Sequence, residues 1–116
     1  VRAFEAGADH AEVWNDPWTV ASGLRVPGPL GDRLMLRALR ETNGGAVAVE
    51  DAALTEAADT VSREEGVDVS PEGGAALAAL EWLVGRGQVD RGETIVVFNT
   101  GAGWLYRQPG DLRAER

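Results

Sequence analysis

The order of patterned segments in this 116-residue chain predicts an α/β fold, a parallel sheet with helices packed on it in three layers. Three observations lead there. Short, wholly apolar runs suited to buried strands occur at Ala46-Val47-Ala48-Val49 and Ile95-Val96-Val97-Phe98. Between and before them lie helical repeats of roughly a dozen residues, the length a right-handed crossover needs. Cap and stop residues then fall where such helices begin and end.

Taken in order, Val1 to Trp14 carries only a thin apolar stripe of Phe4, Ala8 and Ala11, and reads as the tail of something that lies upstream. Asn15-Asp16-Pro17 marks a turn, because the residue before proline is pushed out of the helical region. Trp18 to Pro27 has no clean period. It fits either a long connection or a functional loop around a short helical turn. From Asp32, read as a cap, a helix is signalled by Met35, Leu36 and Leu39 on one face and Arg33, Arg37 and Arg40 on another, with Asn43-Gly44 as the stop.

The apolar run 46–49 is followed by Asp51 as a second cap and by Leu54, Ala57, Ala58 and Val61 at helical spacing, up to Gly66. Val67 and Val69 suggest a brief strand or an extended link. Ser70-Pro71-Glu72 is a firm helix start, with a hydroxyl cap, a proline at the first position and a carboxylate in the first turn. That helix runs through Ala76, Leu77, Leu80, Leu83 and Val84 to Gly85 and Gly87. Trp104-Leu105-Tyr106 is read as a last short strand or an apolar cover, and Asp111 to Arg116 as a charged, frayed tail.

In open α/β sheets ligands bind beyond the carboxyl ends of the strands, which places Asn99-Thr100-Gly101 and the helix start at Glu72 on one rim. From pattern alone the first reads rather as an ordinary turn after a core strand, and Glu72 as a carboxylate placed to suit the helix dipole.

Composition removes several chemistries. With no cysteine and one histidine, His10, disulfides, thiolate metal sites, a cysteine nucleophile and a Ser-His-Asp relay drop out, and no metal site is expected. The formal net charge of −8 argues against nucleic acid or an anionic membrane as partner. No run of apolar residues is long enough to span a membrane and no signal sequence is visible, so the expectation is a cytoplasmic protein. All 11 basic residues are arginine. A Schiff base to an aldehyde cofactor needs a lysine amine, so this chain supplies none and no catalytic residue is assigned.

Beyond these patterns, Asp16 through Pro27, Pro29-Leu30-Gly31-Asp32, Glu65-Gly66-Val67, Pro71-Glu72-Gly73, Ala75-Ala76 and Asn99-Thr100-Gly101-Ala102-Gly103 resemble, in order and spacing, the C-terminal portion of the threonine synthases. These are pyridoxal-phosphate enzymes of the tryptophan synthase β fold type. The resemblance implies that residues 1–116 are the C-terminal part of a large pyridoxal-phosphate-binding domain of fold type II. It further implies conversion of O-phospho-L-homoserine and water to L-threonine and phosphate. Thr100 matches the hydroxyl residue that hydrogen-bonds the pyridine nitrogen, with Asn99, Gly101 and Glu72 beside the cofactor. Gly101 and Gly103 match positions where the backbone nears the ring, and Thr19, Ala21 and Ser22 a loop on the substrate side.

The chain departs from the family at Leu105, where relatives commonly have lysine, and at Gly74, where alanine is expected. The family's Schiff-base lysine and glycine-rich phosphate loop would lie upstream. Gly44-Gly45 and Gly73-Gly74 punctuate helices and do not replace that loop. Pyridoxal phosphate is thus expected only together with a missing N-terminal portion or partner chain, and with a small amino-acid substrate. The alternatives are a noncatalytic α/β binding module and another fold-type II lyase, such as a threonine dehydratase or cysteate synthase. A fragment of a larger sheet should also expose apolar surface, which leaves homo-oligomers open.

Overall fold

The computed structural model describes residues 1–90 and 92–107, and the charged tail read as frayed lies outside them. The chain divides into two compact units, Val1–Ala48 and Val49–Arg116.

In the first unit α1 spans Arg2–Glu5 and α2 spans Asp32–Glu41. The α2 helix starts one residue earlier than read: Gly31 is the cap and Asp32 the first helical residue. Asp32 still organises the region, because one carboxylate oxygen accepts the Ala11 N–H at 2.8 Å and the other the Arg33 N–H at 2.6 Å. The stop works as expected. Asn43 takes a left-handed conformation (φ 51°), and Gly44 N–H closes on the Leu39 carbonyl at 2.7 Å. The loop ahead of α2 carries a single 3₁₀ turn over Ser22–Leu24, and its strap is a hydrogen bond from Trp14 N–H to the Pro27 carbonyl at 2.8 Å. Ala21 and Leu36 are the buried apolar residues here, whereas Trp14 and Trp18 lie outside, stacked under Arg2 and Arg25.

The second unit is a pair of packed helices followed by a returning segment without strands among the described residues. The α3 helix spans Asp51–Glu65 and α4 spans Pro71–Gly85. Glu50, not Asp51, caps α3, without a side-chain bond, and Gly66 closes it in the left-handed region at φ 68°. The start of α4 is as the sequence predicts: Ser70 Oγ accepts the Gly73 N–H and Pro71 occupies the first position. The two helices meet through small residues, with Leu54, Ala57 and Ala58 of α3 buried against Gly74 and Ala78 of α4. Gly74 is where they touch. A Cβ there would strike the Leu54 carbonyl oxygen and come within 2.9 Å of the Ala58 methyl, so the departure to glycine has a packing reason.

The expected parallel sheet is not formed among the described residues. Residues 46–49 and 95–98 form no strand, and among the described residues the only bridge joins Val69 to Ala102, antiparallel. The run expected to be buried on both faces is open, with Val96 83 % and Phe98 79 % exposed. A central strand is buried only when strands flank it and helices cover it, and apolar character alone supplies neither neighbour. Trp104 to Tyr106 form neither strand nor cover: Gly103–Tyr106 is a 3₁₀ turn with Trp104 and Leu105 exposed. Among the described residues no helix is long and apolar enough to cross a membrane.

Candidate functional site

The second unit brings two of the sequence-predicted features together. Val69, Ser70 and the segment from Asn99 to Trp104 run side by side, and each contact has a chemical reason. Asn99 Oδ1 accepts from Ser70 N–H at 3.4 Å and from Ser70 Oγ at 3.2 Å. Ser70, fully buried, in turn caps α4 through Gly73 N–H at 3.1 Å. The turn before Thr100 is therefore tied to the helix start that carries Glu72. A Cβ at Gly73 would run into the Asn99 amide oxygen and displace that side chain.

At its far end the turn is held by Asp68. Its backbone carbonyl accepts Gly103 N–H at 3.1 Å, its carboxylate accepts Trp104 N–H at 2.8 Å, and the same carboxylate pairs with Arg107. Gly103 is buried, and a side chain there would collide with the Asp68 carboxylate and the Val69 carbonyl, so its glycine serves this packing. Gly101 differs. A Cβ at 101 would meet nothing closer than Ser70 Cβ at 3.5 Å, an ordinary contact, so nothing in the chain itself demands glycine there. Thr100 and Asn99 are exposed, while Gly101 and Glu72 are half-buried.

Of the residues expected on the substrate side, Thr19 is half-buried, Ala21 fully buried and Ser22 exposed, all in the first unit. Thr19 Oγ1 accepts Ala21 N–H at 3.2 Å, and the Thr19 carbonyl accepts Arg25 Nε–H at 2.5 Å. This is a hydroxyl-locked turn that fixes Thr19 and Ala21 but leaves Ser22 on the surface. A short helical turn does form within this connection, over Ser22–Leu24.

Sequence reading missed Ser70 as the partner of Asn99, and Asp68 altogether. Their contacts join residues 29 and 36 apart, and no local pattern encodes such a pairing. One weak signal existed: an aspartate two residues ahead of a Ser-Pro helix start has no capping duty of its own, which leaves its carboxylate for another backbone segment.

A second concavity of about 430 Å³ lies along the other side of α4, lined by Ala76, Leu80, Leu83 and Val89 and by residues 93–98. It is the space beside the unpaired apolar run. Among the described residues no group of three His, Asp or Glu side chains draws together as a metal site would need.

Residues 1–101 match the family model of pyridoxal-phosphate dependent enzymes, and the chain belongs to that family. Within it, the chain is similar to threonine synthases. It is 36 % identical over 101 residues to the threonine synthase of Methanosarcina acetivorans, covering 87 % of this chain and 25 % of that protein. It is 34 % identical over 103 residues to that of Methanocaldococcus jannaschii, with 89 % and 25 % covered. For the threonine synthase of Mycobacterium tuberculosis the figures are 33 % over 92 residues, 79 % and 26 %. The chain thus spans about a quarter of the length of these curated relatives.

Proposed function

We propose that the chain is the C-terminal portion of a threonine synthase-like lyase that converts O-phospho-L-homoserine and water to L-threonine and phosphate. The observation that supports it most is the clamped turn: Thr100 is exposed between two fixed points, beside a glycine for which the chain has no packing need. The gap left at Gly101 suits the face of a flat ring, and the Thr100 hydroxyl suits a pyridine nitrogen as a neutral partner. The cofactor, when bound, supplies an electron sink for carbanions at the substrate. The chain's own part is narrower. Thr100 would hold the ring nitrogen without fixing a proton on it as a carboxylate would, Asn99 and Glu72 would flank it, and Thr19, Ala21 and Ser22 would form a wall for the amino-acid substrate.

Because there is no lysine and no glycine-rich phosphate loop in the sequence, the anchor for the cofactor must come from a further portion or partner chain, and this chain is inactive alone. The compartment proposed is the cytoplasm. The test is titration with pyridoxine 5′-phosphate, which has the ring and phosphate but no aldehyde to react with the Val1 amine, carried to high ligand concentration because this chain has no phosphate loop and only the ring contact remains to be read. Binding is followed at the amides of Thr100 and Gly101. Specific shifts that vanish in Thr100→Ala support the reading. Shifts spread over the surface, or indifferent to that substitution, favour a noncatalytic binding module instead.

A further inference from the structure

We infer that Asn99 is a positioning residue, whose amide oxygen on Ser70 holds the Thr100 hydroxyl in one orientation before any ligand arrives; this rests on the reading that Thr100 is the ring contact. Three observations carry it. Asn99 is itself exposed, so burial does not fix its side chain; its hydrogen bonds do. Both of them come from one residue, Ser70, whose own hydroxyl is committed to the helix cap, so the chain Asn99–Ser70–Gly73 runs without a break from the turn into the first turn of α4. The bare face of Gly73 then lets the Asn99 amide lie flat on the helix start, where any side chain would displace it. Thr100 follows directly in sequence, and Ala102 and Gly103 are secured on the other side by Val69 and Asp68. Release of the Asn99 end would leave Thr100 and Gly101 on a tether fixed at one end only.

The experiment uses the whole 116-residue chain and reads backbone order at Thr100 and Gly101 by NMR relaxation, with no ligand present. In the parent chain both positions should show order parameters near about 0.85, and in Asn99→Ala they should fall below about 0.6. Asn99→Asp keeps an acceptor oxygen at the same reach and should restore the order, whereas Asn99→Leu, of similar size but without an acceptor, should not. The amides of Leu54, Ala58 and Ala78 in the helix pair should stay rigid in all variants. The inference is overturned if Thr100 remains ordered in Asn99→Ala, if Asn99→Asp is as loose as Asn99→Ala, or if the helix amides loosen to the same degree. Should Asn99→Leu not fold, the alanine and aspartate variants decide alone. Since no ligand enters this measurement, an ordered Thr100 that ignores pyridoxine 5′-phosphate would sink the ring-contact reading and leave the Asn99 result standing on its own.

Discussion

Single side chains decide more in this chain than its composition suggests. Asp32 is the plainest case. Backbone N–H groups of Ala11 and Arg33 point at its carboxylate, the His10 ring lies 3.5 Å away, and together they hold its carboxyl below the usual carboxylate range. A carboxyl depressed on folding stabilises the folded state at pH values above its unfolded pKa, and that contribution is lost as pH falls through the folded value. Acid melts of the chain should therefore show a loss below about pH 4 that Asp32→Asn lacks, the variant being less stable near neutrality. Gly74 gives a second prediction at this scale. Replacing it with the alanine expected from the family should push α3 and α4 apart and cost about 1 to 3 kcal/mol, read as a lower thermal midpoint. A midpoint equal to or above that of the parent would show that the helices close up without strain.

At the scale of elements, capping separates what could be read from what could not. Ser70-Pro71-Glu72 and Asn43-Gly44 were legible because each motif satisfies its own backbone groups within four or five residues. Asp32 and Asp51 look like caps by the same rule, yet each sits one position inside its helix, where a carboxylate still favours the dipole. The apolar runs misled for a different reason. Ile95 to Phe98 has the composition of a buried strand, but pairing is a property of neighbours, and the second unit offers only the antiparallel touch of Val69 on Ala102. The turn at Thr100 was visible from its residue types, while the clamp that shapes it depends on contacts across α4 and was not. Ser70→Ala should expose that dependence. It removes both the cap and one donor to Asn99, at a cost of about 1 to 2 kcal/mol by chemical denaturation.

For the molecule as a whole, the exposed run is the dominant physical fact. Val96, Phe98, Trp104 and Leu105 are all more than half exposed, and the backbone of residues 94–98 has no ladder to satisfy it. One edge of this run borders the concavity along α4, so apolar surface is continuous from Leu80 and Leu83 to Ile95. Sedimentation of the isolated chain should show concentration-dependent association that Phe98→Asp reduces, and a chain that stays monomeric at all concentrations would contradict this. In the proposed reading this surface is the side on which the further portion of the enzyme packs, the relatives being about three and a half times as long as this chain.

The tie between Asn99 and Ser70 also sets an order in time. The two residues are 29 apart, with the whole of α4 between them, so bringing them together costs about 3 kcal/mol of chain entropy in a flexible chain. A helix already formed and docked on α3 fixes Ser70 at its N-terminal end, and the connection after Gly85 must then run back along the whole helix to reach it. The turn at Thr100 should accordingly be among the last parts of the second unit to set during folding, with substitutions at Asn99 speeding unfolding and leaving the refolding rate nearly unchanged.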